Sequence, residues 1–446
     1  MPGNAVIASA AKQSSLYMNT NYDVAVIGGG PAGMMAAARA AECGARVVLL
    51  EKNTSLGEKL LITGGGRSNI TNAEFDRNIF LRKFGRASKF LFSPLTQFGV
   101  QDTLDFFNAL GMPTKIEAEK RVFPVSDQSQ SVFDALLRYM NQGDVTVLSE
   151  AEVTGLDVSD GMVSGIRLKN GDTVIAGSYI LATGGKSHPE TGSTGDGFRW
   201  LEKIGHTVID PRPSLVPLRV RERWVHELSG VSFPDAKLTV FQDGKKRASR
   251  KGKLLFTHFG LSGPLPLNMS RGVDELLKQG TVTVSVDLFP SQDIGALDKE
   301  LQVLFDSRKN KQVRNGLDSF VVPSLVPVLF EITGIDPDKQ INAVTREERT
   351  GLVHVLKNLT MTVEGLLGAN KAIVTSGGVA LSEVDFKYMR SRLFPNLYLI
   401  GDILDIDRPS GGYSLQLCWT TGFVAGTSAS SVIPVRQSAD EHPAGI

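Results

Sequence analysis

In the stretch DVAVIGGGPAGMMAAARAAECGARVVLLEK, Asp23 to Lys52, the glycines Gly28, Gly30 and Gly33 stand in G-x-G-x-x-G spacing with Pro31 and Ala32 inside it, and Glu51 closes the next apolar run. Gly28 permits a tight turn, Gly30 lets a pyrophosphate approach the backbone, and Gly33 lets a helix pack on a strand. The helix that starts there offers N–H groups and the positive end of its dipole to phosphates. Glu51 stands where a carboxylate accepts the hydroxyls of an adenosine ribose, and its charge would repel a 2′-phosphate. The chemistry is dinucleotide binding, of FAD or NAD rather than NADP.

Three later clusters decide between the two. FAD is long and needs residues far downstream for its isoalloxazine end, whereas an NAD domain finishes its work within about 150 residues. GEKLLITGGGRSNITN, Gly57 to Asn72, lacks apolar periodicity and is expected to be an extended loop rich in donors, with Lys59, Thr63, Gly66, Arg67, Ser68, Asn69, Thr71 and Asn72. In YILATGGKSHPETGSTGDGFRWLEKIG a strand at Tyr179 to Ala182 leads to Thr183, Gly184 and Gly185, with a helix resuming near Gly197. In GDILDIDRPSGGYSLQLCWTTGFVAG a strand at Tyr398 to Ile400 delivers Gly401 and Asp402, a carboxylate suited to a ribitol hydroxyl. Gly411, Gly412 and Tyr413 then enter a helix whose N-terminus would face the O2 and N1 edge of a flavin, where the reduced ring carries negative charge. Lys52, Arg67 and Asn69 are expected to reach the pyrophosphate or the ring. The cofactor is therefore read as FAD.

These sites need a scaffold, and the pattern supplies an α/β one: a Rossmann-like FAD-binding domain in two pieces. From Val145, alternating apolar and polar residues with Gly-Asp turns read as an antiparallel layer. Pro211, Pro213 and Pro217 mark a crossover into strand-like pieces such as AKLTVFQDGKKRASRKGKLLF and TVTVSVDLFP. Ser291 to about Asn370 reads as helical and charged, and AIVTSGGV returns to strand. The expected divisions are a tail at 1–21, the first part of the FAD domain at 22–210, an insertion at 211–372, the second part at 373–434 and a tail at 435–446.

Composition narrows the function classes. The chain has 446 residues, 41% hydrophobic and 21% charged, enough for two or three domains. Its net charge of +1 argues for neither nucleic acid nor an acidic membrane as partner. Cys43 and Cys418 form no C-x-x-C pair or disulfide framework, which suggests a reducing cytoplasm. No apolar run reaches the length of about 18 residues that a bilayer span needs, and no metal-ligand spacing or Ser-His-Asp set stands out. The basic run Lys245, Lys246, Arg247, Arg250, Lys251 and Lys253 follows Asp243 and Gly244 and is read as a solvated hairpin, with phosphate contact as the rival reading. His258, beside a glycine-rich turn, is a candidate for a substrate-facing role, and Tyr413 for proton donation or for packing against a ring.

GGGRSNITN, ATGG, GKLLFTHFGLSGPLPLNMS, VTSGGVALSEV and the stretch from Gly401 to Gly426 resemble the signatures of the BaiN-type, aminoacetone-oxidase-like (YhiN-like) NAD(P)/FAD-dependent oxidoreductases. The resemblance runs from Tyr22 to about Pro434. It implies a two-dinucleotide-binding-domain flavoprotein fold, an inserted β-barrel with a small helical subdomain, and redox chemistry on a small molecule. The family usually has Cys at Ser68, Glu at Asp402, and Met-Glu-Ser at Met389, Arg390 and Ser391. Asp402 keeps the carboxylate, while Ser68 leaves no thiol.

Together these readings describe an FAD-dependent oxidoreductase that moves hydride between NAD(P)H and an unidentified small molecule held between the flavin and the inserted domain. The rivals are an RNA-binding flavoprotein resembling the tRNA-modifying ones, amine-oxidase-like use of oxygen, and flavin binding without turnover. Beyond Gly33 no second G-x-G-x-x-G follows a strand, so a nicotinamide donor is expected to share the substrate's cleft.

Overall fold

The computed structural model describes residues 7–9 and 22–431. The chain forms two compact units, one of residues up to Arg212 together with those from Val374, the other of Pro213–Ile373.

In the first unit, β1 (Tyr22–Ile27) and β2 (Val47–Leu50) are buried along almost their whole length, as parallel strands covered on both faces must be. They pair in parallel from Val24 with Val47 to Ile27 with Leu50. β3 (Val145–Ser149) flanks β2, and β4 (Ala176–Leu181) flanks β1, both in parallel. The sheet has eight strands and continues through Leu397–Leu399 to the antiparallel Arg390–Ser391 and Val384–Asp385. Within the segment expected to be a tail, Ile7–Ser9 form an edge strand parallel to β3. Three residues carry no readable period, and only the free edge of β3 selects them. The expected tail at 435–446 and the rest of 1–21 lie outside the described residues.

The helix α1 (Pro31–Glu42) joins β1 to β2 and buries its run of alanines. The long helix α2 (Tyr413–Ser430) lies directly on it. A Cβ at Gly422 or Gly426 would come within 2.6 Å of the carbonyl oxygens of Ala32 and Ala36, so the two glycines allow the backbones to touch. The alternating segment after β3 forms a separate three-stranded antiparallel sheet, Val153–Ser159, Met162–Leu168 and Thr173–Val174.

The second unit holds a closed six-stranded barrel, with the expected hairpin of β5 (Ser232–Gln242) and β6 (Lys245–Thr257) in its wall. Leu238, Val240, Val284, Val286, Phe256 and Met361 fill its core. Helices at Ile294–Ser307, Leu325–Thr333 and Arg346–Lys357 follow, as expected for a helical subdomain. One stretch read as helical is not. Leu359–Leu366 alternates buried Leu359, Met361 and Val363 with more exposed neighbours and closes the barrel. Its period of two was hidden inside a longer charged segment.

Candidate dinucleotide site

The glycine turn after β1 is fixed by close contact. A Cβ on Gly33 would sit 1.9 Å from the Gly28 carbonyl oxygen, and one on Gly28, at φ +105°, would sit 2.6 Å from that of Ala182. These two positions let β1, α1 and the end of β4 converge. At Gly30 the opposite holds, since a Cβ there would meet nothing within 4 Å. Gly30 caps α1 in an extended conformation with no side-chain cap, Pro31 occupies the first turn, and no acid stands there. The helix thus presents its positive end beside open space, which suits a phosphate.

Glu51, at the end of β2, is buried. Its Oε2 accepts the Gly29 N–H at 2.8 Å and its Oε1 the Asn53 N–H at 2.8 Å. Burial raises its pKa against these two hydrogen bonds. Each oxygen keeps a second lone pair, so the carboxylate can also accept hydroxyl donors.

Lys52 and Lys59 hold the segment that follows ATGG. Lys52 Nζ donates to Thr194 Oγ1 at 2.7 Å and pairs with Asp196 at 3.0 Å. Lys59 Nζ donates to Ser187 Oγ at 2.7 Å and to the Ser187 carbonyl at 3.2 Å. Behind the loop, Thr375 Oγ1 accepts the Lys186 N–H at 2.7 Å and lies where a side chain on Gly185 would go. Gly184 takes φ +71°. The Thr183 hydroxyl is buried with no hydrogen-bond partner and lies where a side chain on Gly197 would go.

The expected extended loop at Gly57 to Asn72 is instead a helix at Glu58–Ile62, a turn at Thr63–Gly65 and a short strand at Thr71–Asn72. Leu60, fully buried, anchors it to the core. Several side chains read as cofactor ligands make contacts within the protein. Ser68, at φ +54° and buried, bonds Thr63 Oγ1 and the Leu60 carbonyl. Asn69 Oδ1 accepts the Val122 N–H. Arg67 pairs with Glu117 and Asp127 and lies over the Phe123 ring. These contacts build the loop. Gly66, at φ +84°, ends the turn with open space at its Cβ position.

That loop meets the C-terminal cluster. A Cβ on Gly412 would come within 2.3 Å of the Thr71 carbonyl, and Asn72 Nδ2 donates to the Gly411 carbonyl at 3.1 Å. Buried Gln416 accepts from Thr71 Oγ1 at 2.6 Å and Thr103 Oγ1 at 3.0 Å, and Trp419 Nε1 donates to the Ile70 carbonyl at 2.9 Å. Tyr413 packs in an aromatic group with Phe80 and Phe84, centroids 4.9 and 5.9 Å away. Burial, with Glu74 acting the same way, pushes its phenol up to about 12, so the surroundings are those of packing. His258 belongs to the barrel unit, exposed in the turn after β6 beside Phe259.

A residue not singled out in the sequence lies under this loop. The Arg408 guanidinium is wholly buried, pairs with Asp402, and donates to Ser414 Oγ at 3.0 Å and the Ile406 carbonyl at 2.8 Å. Lys59 Nζ is 3.8 Å from the other Asp402 oxygen. Burial acts to raise Asp402, but the Arg408 and Lys59 charges outweigh it and hold the carboxylate ionised. Burial lowers Lys59 despite Asp402. Arg408 and Lys59 thus both lie against the one Asp402 carboxylate. The neighbouring Cys418 thiol is buried and pushed up to about 12, which keeps it protonated and inert.

The open capless end of α1, Glu51 and the Arg408 and Lys59 side chains around Asp402 fit a nucleotide diphosphate with a negatively charged far end. A search against protein families matches residues 22–428 to the HI0933-like protein Rossmann domain. The chain belongs to this family. Among its relatives, the 3-dehydro-bile acid delta(4,6)-reductase of Clostridium scindens is 32% identical over 91% of this chain and 98% of its own. The ribosomal RNA dihydrouridine synthase of Escherichia coli is 30% identical over 90% of this chain and 96% of its own. Two solved structures share the fold: a flavocytochrome c3 fumarate reductase (TM-score 0.52, 17% identity, covering 94% of this chain and 80% of that one) and the 3-ketosteroid-delta4-(5alpha)-dehydrogenase of Rhodococcus jostii (TM-score 0.53, 15% identity, 94% and 99%). The Rossmann-like unit is thus an FAD-binding domain of a flavoprotein oxidoreductase family. Among the described residues no helix is long and apolar enough to cross a membrane.

Sequence reasoning also missed a buried polar relay. His206 Nδ1 lies 2.8 Å from Glu383 Oε2, and its Nε2 lies 3.0 Å from Ser391 Oγ. Ser391 Oγ also accepts the N–H groups of Leu393 and Phe394, so its proton points to His206. The arrangement resembles a nucleophile, base and acid, but the imidazole is completely buried and the serine is fully engaged, which makes it a structural clasp. Burial lowers His206 against the pull of Glu383. A folded-state pKa below the unfolded value means that the unfolded chain takes up the proton first. Stability is therefore expected to hold above about pH 6.5, the ordinary imidazole value, and to fall as the pH drops below it. Denaturation curves between pH 7.5 and 5.5 should show that loss in the parent chain and a smaller one in His206→Gln.

Proposed function

We propose that the protein is an FAD-dependent reductase that saturates a carbon–carbon double bond conjugated to a carbonyl, with NAD(P)H as hydride source. The observation that carries this is the agreement of two near-full-length relatives. One is named for a steroid-like acid and the other for a nucleoside in RNA, yet both names describe hydrogen added to an unsaturated ring. The shared element is the reaction. NAD(P)H and a proton are consumed, hydride ends on the carbon remote from the carbonyl, the proton on the carbon next to it, and NAD(P)+ leaves. Bound FAD would supply the two-electron relay between donor and acceptor.

The chain's own residues would do the holding. The Gly28 to Gly33 turn and Glu51 bind the ADP half, and the α1 N-terminus faces the diphosphate. The Arg408, Lys59 and Asp402 cluster and the start of α2 supply positive potential where electron density accumulates.

Anaerobic assays with NADH and NADPH in turn, offering a conjugated enone and its saturated ketone, test the reading. The enone should be consumed and the saturated ketone left untouched. If neither nicotinamide supports enone loss, the reading fails. Because donor and acceptor are expected to alternate in one cleft, initial rates over a grid of both concentrations should give parallel double-reciprocal lines. Intersecting lines would require a second nucleotide site.

A further inference from the structure

The barrel hairpin carries charge that the redox reading does not use. Six of the nine residues from Lys245 to Lys253 are Lys or Arg. Lys245, Lys246, Arg247, Arg250 and Lys251 are exposed. Asp243 and Gly244 make the turn with positive φ at both, the twist that suits a two-residue hairpin, so the cations begin at its tip.

Two further facts set this stretch apart. Only the base of β6, Leu255 to Thr257, pairs with Gly260–Ser262; from Lys245 to Lys251 β6 pairs with β5 alone, and no described strand pairs with its other edge. Among the described residues, Lys245, Lys246, Arg247, Arg250 and Lys253 have no carboxylate at ion-pair distance. Other cations of the same unit do: Arg271 with Glu275 at 3.4 Å, Lys278 with Asp274 at 2.7 Å, Lys357 with Asp287 at 2.8 Å. Asp287 lies in register with Lys237, which in turn faces Lys251, but Lys357 holds it.

Lysines on an open edge also guard against strand addition. A guard needs charge of either sign at one or two positions. Adjacent like charges without counterions raise the local potential and repel one another, a cost that a bound polyanion removes.

We propose that the tip of the β5–β6 hairpin is a docking surface for the phosphate backbone of structured RNA. Cation spacing along an extended strand and an edge that no described strand pairs both suit phosphate oxygens. RNA is favoured over other polyanions because full-length relatives of two organisms are named for ribosomal RNA. The inference goes beyond the reductase reading, and its readout requires no turnover, so either can fail alone.

The test uses the intact flavoprotein and protein-free ribosomal RNA, with binding measured across a salt series. The parent chain should bind with an affinity that falls steeply with salt. The variant K245E/K246E/R247E/R250E should bind roughly a hundredfold more weakly at about 0.1 M salt, with the log–log slope shallower by about 3 to 4. Glutamate keeps the edge charged, so flavin content and unfolding midpoint should not change. RNA affinity unaltered in the variant would overturn the proposal. So would salt-insensitive binding, or binding by the parent chain to phosphatidylserine vesicles in place of RNA.

Discussion

Replacing Arg408 with methionine should destabilise the FAD-binding unit by about 3–5 kcal/mol, the usual cost of removing one member of a buried ion pair. The guanidinium is wholly buried and binds Asp402, Ser414 and the Ile406 carbonyl, so its loss strands three acceptors. Lys59 cannot replace it, because its Nζ stands 3.8 Å from Asp402 and is already bonded to Ser187. Thermal unfolding followed by flavin fluorescence reads the change. The control is D402N/R408M, which removes both charges and should be more stable than R408M alone. If the two substitutions simply added, Arg408 and Asp402 would not be acting as a pair.

Glu51→Gln should lower FAD affinity by roughly tenfold to a hundredfold, since a hydrogen bond to a charged acceptor contributes about 1.5–3 kcal/mol. The structure adds a reason for the upper half of that range. Both carboxylate oxygens accept backbone N–H groups, and a glutamine must turn its NH2 toward one of them. Glu51 also sets a pH dependence. Burial raises its pKa, so the apoprotein draws stability from the protonated form at low pH and loses it as the pH rises through the folded-state pKa. FAD needs the carboxylate. Affinity should therefore be flat at neutral pH and decline in acid, starting above the ordinary glutamate range, and Glu51→Gln should abolish that decline. Titration of the apoprotein checks both; unchanged affinity in the variant would remove Glu51 from the site.

The sequence revealed what depends on local spacing. The Gly28 to Gly33 turn, the acid at the end of β2 and the glycine entry to α2 each have a conformational requirement that few residues meet, so residue type announces them. The barrel hairpin was readable for the same reason, through Asp243 and Gly244. Side-chain direction was not. Arg67 and Ser68 have the donors of a ligand-binding loop, yet they bond Glu117 and the Leu60 carbonyl, and the Asn69 amide oxygen accepts the Val122 N–H, partners set by the tertiary fold. Arg408 was passed over because a lone arginine in a Gly- and Pro-rich loop normally lies in water; its burial beside Asp402 is visible only once the fold brings it against Asp402 and Ser414. The relay of His206, Glu383 and Ser391 joins residues 185 and 177 positions apart in the chain, beyond any local pattern.

The most direct test of the central claim is a single turnover without oxygen. The purified protein, reduced by one equivalent of NADPH or NADH and freed of nicotinamide, is mixed with a conjugated enone, and the flavin spectrum is followed while product is quantified. The account predicts return of the oxidised spectrum with one saturated product formed per flavin, and no return with an isolated alkene. A flavin that stays reduced with every enone and is reoxidised only when air is admitted would contradict it, and would mark the protein as an oxidase rather than a reductase of double bonds.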